Sequence, residues 1–291
     1  MSSPTVHSHR PLVAAGCAAA LAAGALGLWS SVPAHADTLP SPDHVVVVVM
    51  ENHAYGQILG SSDAPYLNSL ASGGATLTQS YGITHPSQPN YYALFSGDTQ
   101  GVTDDSCVDT GFTSAPNLAS ELLNSGQSWG SYNEGLPSQG STTCSRGDYA
   151  QKHAPWFGFN NVPTNTEHTF NQFPSDFSQL PKVSFVVPDL CDDMHDCSVG
   201  TGDSWVKDNL DSYAQWAKSH NSLLVVTYDE DDLNSGNQIP TLLYGQHVAP
   251  GSSSSSSYNH YDMLHTLEDL AGLNTHAGAS GGASDITGIW N

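Results

Sequence analysis

Thr84-His85-Pro86-Ser87-Gln88-Pro89-Asn90-Tyr91 gathers a hydroxyl, an imidazole and a carboxamide into one short stretch. Pro89 suits the first turn of a helix, because its missing N–H would be unpaired there anyway. Ser87 then sits just ahead of a helix N-terminus, where free backbone N–H groups and the helix dipole favour a bound anion. A hydroxyl at an anion site, with His85 and Asn90 close by, points to phosphoryl chemistry. A serine in that place also serves as an ordinary N-cap, so the chemistry requires other reactive groups at the same spot.

Several groups qualify. Glu51-Asn52-His53 follows six apolar residues, 45–50. A carboxylate there is costly unless it is solvated, paired or bound to a cation. Asp229-Glu230-Asp231-Asp232 likewise follows the apolar run Ser-Leu-Leu-Val-Val-Thr-Tyr. In Cys191-Asp192-Asp193-Met194-His195-Asp196-Cys197, three aspartates and a histidine crowd one short loop. Such crowding raises mutual repulsion unless a cationic group relieves it. Lys152-His153-Ala154-Pro155-Trp156 offers a cation in a chain that has few, and so a means of drawing in an anion. His260 follows Asn259 at the start of a helical pattern.

The elements that must position these groups are read from periodicity. Residues 45–50 are apolar at every position, as in a strand buried on both faces at the centre of a parallel sheet. Residues 222–228 form a second such strand. Acids follow both, at the carboxyl ends where open α/β sheets place their ligand crevice. Further strands are expected at 75–81, 128–133, 183–187 and 239–244. Helices are expected at 63–73 (Asp63 as N-cap), 116–125, 204–218 and 260–272. The stretch 134–177 has little periodicity, and loops that long inside a domain are more often functional than idle. The run 251–257 reads as a flexible surface connection. With no internal repeat and no linker, the expected fold is one doubly wound α/β domain, a mostly parallel sheet flanked by helices.

Residues 1–36 are set aside as a secretory signal peptide: an apolar run, 12–29, precedes the small-x-small site Ala34-His35-Ala36, with cleavage expected after Ala36. The domain is then 37–291, and the protein is expected outside the cell. The chain has 6 Lys and Arg against 28 acids, and the leader holds Arg10 and no acid, so its removal takes the net charge from −22 to −23. A field so negative argues against nucleic acid and against stable association with an anionic membrane. Four cysteines remain after the leader, which implies two disulfides in an exported protein. The sequence-local pairing is Cys107–Cys144 with Cys191–Cys197; the count alone permits two others.

The residues Glu51-Asn52, His85 to Tyr91, Lys152-His153-x-Pro155-Trp156, Asp193-Met194-His195-Asp196, Thr227-Tyr228-Asp229-Glu230 and Asn259-His260 together resemble the bacterial phosphoesterase family. That family unites acid phosphatases and phosphatidylcholine-type phospholipases C on an alkaline-phosphatase-like fold. The pattern is most similar to the compact secreted acid phosphatases with phosphatidylinositol-3-phosphatase activity, and it spans nearly all of 37–291. It departs at Cys191 and Cys197, which look like an added disulfide, and at Asp189, where many members carry asparagine.

The resemblance implies Ser87 as nucleophile, with Glu51, Asn52, Asp229, Glu230 and Ser87 holding a divalent metal ion. Oxygen ligands favour Ca²⁺, Mg²⁺ or Mn²⁺ over Zn²⁺. One ion is expected, although His195 and His260 with Asp192 or Asp193 leave a second site open. Lys152, His153, His195 and His260 would steady the phosphoryl oxygens, with His85 and Asn90 beside them, and His195 or His260 would protonate the leaving oxygen. The implied substrate is a small-molecule or lipid-headgroup phosphomonoester, hydrolysed through a phosphoserine. The alternatives are a phospholipase C or other phosphodiesterase, and a non-catalytic secreted ion-binding protein.

Overall fold

Six apolar residues in a row leave no side of their strand for water, and β1 (His44–Met50) lies inside an eight-stranded sheet. A computed structural model of the chain describes residues 1–5, 7 and 38–291. The expected leader lies outside the described residues except at 1–5 and 7, as does its cleavage site. Alternate residues of β1 feed different cores: Val45, Val47 and Val49 join one, Val46, Val48 and Met50 the other.

The other strands of this sheet are β2 (Ala75–Leu77), β3 (Trp129–Asn133), β4 (Glu167–Thr169), β5 (Val183–Val187), β6 (Ser222–Tyr228), β7 (Thr241–Gly245) and β8 (Ser252–Ser254). Their spatial order is β8-β2-β7-β6-β1-β5-β3-β4. Only β7 runs against its neighbours, β6 and β2; the other pairings are parallel. Among the described residues, the helices longer than one turn are α1 (Pro65–Gly73), α2 (Ser87–Ser96), α3 (Leu118–Asn124), α4 (Val199–Ala217) and α5 (His260–Leu270). Helices α1 and α4 share the core that holds Val46 and Val48, while α2, α3 and α5 pack in the other. The expected mostly parallel sheet, covered by helices on both faces, is therefore present.

Helix α2 is buried along its whole length. Its Ser, Gln, Asn and Pro residues give it little intrinsic helix preference, so tertiary packing holds it. Phe95 lies 5.2 Å from the Trp129 ring and 5.8 Å from that of Trp156, and burying one such ring stabilises by about 2–3 kcal/mol. Gly97 ends the helix in the left-handed region, at φ 68°.

Several boundaries differ from the sequence pattern, each for a local reason. The run 75–81 divides: Ala75–Leu77 stays in the main sheet, while Ser80–Tyr81 pairs with Gln238–Ile239 and Tyr258–Asn259 in a small second sheet. Pro240, which has no N–H for a ladder, breaks 239–244 in the same way. The polar run expected as a surface loop instead forms β8, which pairs with the edge of β2. Helix α1 takes its N-terminal partner from Asp203 of α4, not from Asp63. The N–H groups of Tyr66 and Leu67 donate to that carboxylate at 3.1 and 2.8 Å. Helix α4 starts earlier than expected, because Ser198 caps it by accepting from the Thr201 N–H. The disulfides are Cys107–Cys144 and Cys191–Cys197, the sequence-local pairing.

Candidate active site

Strands β1 and β6 run in register, with Met50 opposite Tyr228, so Glu51 and Asp229 leave the sheet side by side. Helix α2 starts at Ser87 itself, one position earlier than Pro89 suggested, with Pro86 at the capping position and no side-chain cap. Ser87 is thereby brought to the two acids. Its Oγ donates to Glu51 Oε2 at 2.9 Å and lies 3.3 Å from Glu230 Oε1. A hydroxyl carries one proton and cannot serve two carboxylates at once.

Asn52, at φ 53°, turns the chain so that its N–H donates to Asp229 Oδ1 at 3.2 Å. The other oxygen, Asp229 Oδ2, is buried with no hydrogen-bond partner. Burial first, then the charges of Glu51 and Glu230, push the Asp229 carboxyl well above its ordinary value. Glu230 is raised to about 8 by burial and by Glu51. Its Oε2 accepts from His85 Nδ1 at 2.8 Å and from Asn90 Nδ2 at 3.3 Å.

Asn90 spends most of its amide on the approach to Ser87. Its oxygen accepts from the N–H groups of Ile83 and Thr84, and its nitrogen donates to the Thr84 carbonyl. The same segment passes close to β6. A Cβ at Gly82 would lie 2.8 Å from the Asp229 carbonyl oxygen and 2.6 Å from the Asn237 amide nitrogen.

His153 lies between two carboxylates, with Nε2 3.0 Å from Glu51 Oε1 and Nδ1 3.1 Å from Asp193 Oδ2. Burial works against its charge, but Glu51 and Asp193 overcome that and raise it to about 9. Burial likewise works against the Glu51 charge, and His153 with Lys152 holds that carboxyl down at about 2. Tyr91 stacks on the His153 ring at 4.9 Å and donates its hydroxyl to Glu51 Oε1 at 2.7 Å.

Lys152 forms a neighbouring patch. Its Nζ lies 3.0 Å from Asp105 Oδ2 and donates to His195 Nε2 at 3.1 Å. Lysine cannot accept, so His195 Nε2 does, and its Nδ1–H points to Asp196 Oδ1 at 2.6 Å. Asp105 Oδ1 accepts the Gln88 N–H at 2.9 Å, which ties this patch to the first turn of α2. His260 lies behind Asp229: its Nε2 donates to the Asp229 carbonyl at 2.6 Å, and burial lowers its pKa to about 4, leaving it neutral.

Of the residues singled out in the sequence, Glu51 and Glu230 contact the Ser87 hydroxyl. His153 reaches it only through Glu51, His85 and Asn90 only through Glu230, and Asp229 lies next to Glu230 in the chain. Lys152 and His195 stand at the edge of this group. Asn52 enters through its backbone and His260 from behind. Asp189 and Asp192 lie instead in a separate acidic group with Glu134. Sequence reasoning included Tyr91 in the Ser87 stretch without giving it a role, and missed Asp105. Tyr91 falls one helical turn after Ser87, a spacing that places both on one face; Asp105 sits in an aperiodic loop that carries no such signal.

The Ser87 oxygen, Glu51 and Glu230 on either side of it, and the unpaired oxygen of Asp229, the residue before Glu230, supply oxygen donors of the kind a hard divalent ion takes. Ligand atoms of Glu51, His153 and Asp193 also lie within 4.8 Å of one another. There the imidazole already stands between the carboxylates, so a proton and a metal ion are alternatives.

The profile of the Phosphoesterase family matches residues 59–274. The chain is 47% identical to the phosphatidylinositol-3-phosphatase of Mycobacterium tuberculosis, over all of its own length and 97% of the relative's. It is 29% identical to a probable acid phosphatase of Kluyveromyces lactis, over 80% of its own length but only 59% of that relative's. Among solved structures it is similar to a protein of the alkaline phosphatase superfamily from Vibrio parahaemolyticus, with a TM-score of 0.58 at 14% identity over 85% of this chain and 72% of the other. It is also similar to the lipoteichoic acid synthase of Listeria monocytogenes, with a TM-score of 0.57 at 12% identity over 87% and 77%. At such identities the likeness is one of fold, and the fold is alkaline-phosphatase-like.

Proposed function

The chain belongs to the Phosphoesterase family and is a phosphomonoester hydrolase; we propose that it is a secreted, metal-dependent acid phosphatase working through a phosphoserine on Ser87. One observation carries this reading. The Ser87 hydroxyl, at the head of a buried helix, is held between Glu51 and Glu230, and Asp229, the residue before Glu230, keeps one buried oxygen unpaired.

Glu51, Asp229 and Glu230, with the Ser87 oxygen and Asn52 alongside, are the residues that would hold one divalent ion, Ca²⁺, Mg²⁺ or Mn²⁺ in preference to Zn²⁺. When bound, it supplies Lewis-acid stabilisation of charge at the serine oxygen and the phosphoryl group. This chain's own residues do the rest. The Gln88 N–H and Lys152 Nζ, now joined by the Asp105 carboxylate, are donors that a phosphoryl group would engage. His85 and Asn90 shape the opposite wall through Glu230. Ser87 Oγ passes its proton to Glu230, 3.3 Å away, as it bonds to phosphorus and the bond to the leaving oxygen breaks. A protonated His195, its Nε2 released when Lys152 turns to the phosphoryl group and its Nδ1–H held by Asp196, gives the Nε2 proton to that oxygen. Water then attacks the phosphoserine and gives one proton to His195, while Glu230 returns its proton to Ser87 Oγ as phosphate leaves. His153 holds Glu51 ionised throughout, and His260 braces the Asp229 backbone.

The 47% identity to a phosphatidylinositol-3-phosphatase over the whole chain supports phosphatidylinositol 3-phosphate among the substrates. Two disulfides and the composition of 1–36 support secretion. No helix among the described residues is long and apolar enough to cross a membrane. The test offers a phosphomonoester and phosphatidylcholine side by side. Release of phosphate from the monoester is expected to dominate; faster release of diacylglycerol would overturn the reading in favour of a phospholipase C.

A further inference from the structure

Away from Ser87, the second half of α5 and the segment that follows it bring together two histidines and two aspartates. His265 and Asp269 stand one turn apart on α5, while His276 and Asp285 come from the C-terminal segment. His265 Nδ1 donates to the Ser280 carbonyl at 2.7 Å, so the lone pair of the neutral ring is on Nε2. Facing that lone pair are two more acceptors, Asp269 Oδ2 at 3.6 Å and Asp285 Oδ1 at 3.9 Å. These separations are too long for hydrogen bonds. Asp285 Oδ1 is shut off from solvent and has no hydrogen-bond partner.

The three ligand atoms lie within 4.8 Å of one another. A tetrahedral ion with bonds of about 2.0–2.2 Å keeps its ligands roughly 3.3–3.6 Å apart, close to the spacing observed. The surrounding contacts are also those of a metal site. A ligating imidazole usually ties its second N–H to a carbonyl, and a ligating carboxylate is itself hydrogen-bonded. Here Ser280 holds His265, and His276 Nε2 lies 2.9 Å from Asp269 Oδ1, its ring stacked on His265 at 4.2 Å.

We propose that His265, Asp269 and Asp285 form a second divalent-cation site, distinct from the one around Ser87. A nitrogen in the donor set favours Zn²⁺ here over Ca²⁺ or Mg²⁺. The role is structural. Asp262 accepts from the Ser284 N–H and Thr266 from the Ile286 N–H, each at 2.9 Å, so Asp285 lies between two existing pins of the C-terminal segment to α5. An ion adds a third pin to the helix whose first residue, His260, braces Asp229.

The experiment compares the full mature protein with Asp285→Asn and His265→Gln, each dialysed against Zn²⁺. Zinc is counted by mass spectrometry and Tm is followed across a zinc titration. Wild type should hold one more zinc per chain than either variant, and its Tm should rise by about 5 °C or more at a hundredfold excess over Kd. That rise should disappear in both variants while phosphomonoester turnover stays within about twofold. Equal zinc content and equal Tm response in all three proteins would overturn the proposal and leave an imidazolium–carboxylate cluster. A substitution at the other site, such as Asp229→Asn, leaves this difference untouched, so the two sites are scored separately.

Discussion

Ser87→Ala should lower turnover of a phosphomonoester by about 10⁴-fold or more and leave the fold intact. Removing a nucleophile abolishes the covalent route and leaves only the catalysis that binding and fixed charges supply. The structural effect is small, because alanine suits the first position of α2 and the change leaves no polar atom of its own behind. Glu51 loses one donor but keeps Tyr91 and His153. Steady-state kinetics with circular dichroism as a control decides the matter. Near-wild-type turnover would mean that another group attacks phosphorus and that the position of the hydroxyl is incidental.

The second large effect is expected from Asp229→Asn: kcat/KM lower by about 10²–10³-fold, the range for losing one fixed electrostatic group at a reacting centre, and metal content lower with it. Asn keeps an oxygen for the Asn52 N–H and replaces a carboxyl whose charged form burial and its acidic neighbours already disfavour. The ion-free variant should therefore melt no lower than the ion-free wild type, which separates loss of a ligand from loss of fold. In the ion-free protein burial and mutual repulsion raise Asp229, and Glu230 lies at about 8. These groups hold protons near neutrality that a metal ion must displace. Calorimetric titration of the stripped wild type in two buffers of different ionisation enthalpy should report proton release on binding, and less of it in the variant. A variant that retains both metal and rate would remove Asp229 from the site.

The central architecture was legible because burial on both faces leaves an unmistakable pattern: β1 and β6 are apolar almost throughout, and the acids at their ends stand out against that background. The Ser87 stretch was legible for a different reason, as a proline and small polar residues in the right order at a helix start. What escaped notice depends on neighbours. Strand β8 is three serines that become a strand only because β2 has a free edge, and β4 emerges from an aperiodic stretch to extend the opposite edge. Asp105 reaches Lys152 and Gln88 from a loop with no internal pattern, so only folding reveals the contact. Asp203, in the second turn of α4, caps α1 from another element, a contact no local pattern signals.

The Cys107–Cys144 link has a consequence for where the enzyme can work. Asp105 lies two residues before one end of that covalent ring, and Lys152 follows the other end within the same stretch of chain. With both thiols reduced, the Lys152–Asp105 pair and the hydrogen bonds from the Gly111 and Thr113 N–H groups to the Phe157 and Gly158 carbonyls would still join the two arms, but without the covalent limit the pocket mouth would slacken. Mild reduction by dithiothreitol should accordingly raise KM for a phosphomonoester more than it lowers kcat; unchanged KM in the fully reduced protein would sink that expectation. On the secretion proposed above, oxidation would then act as a licence granted on export, so that a newly made chain spares the phosphate esters of its own cytoplasm.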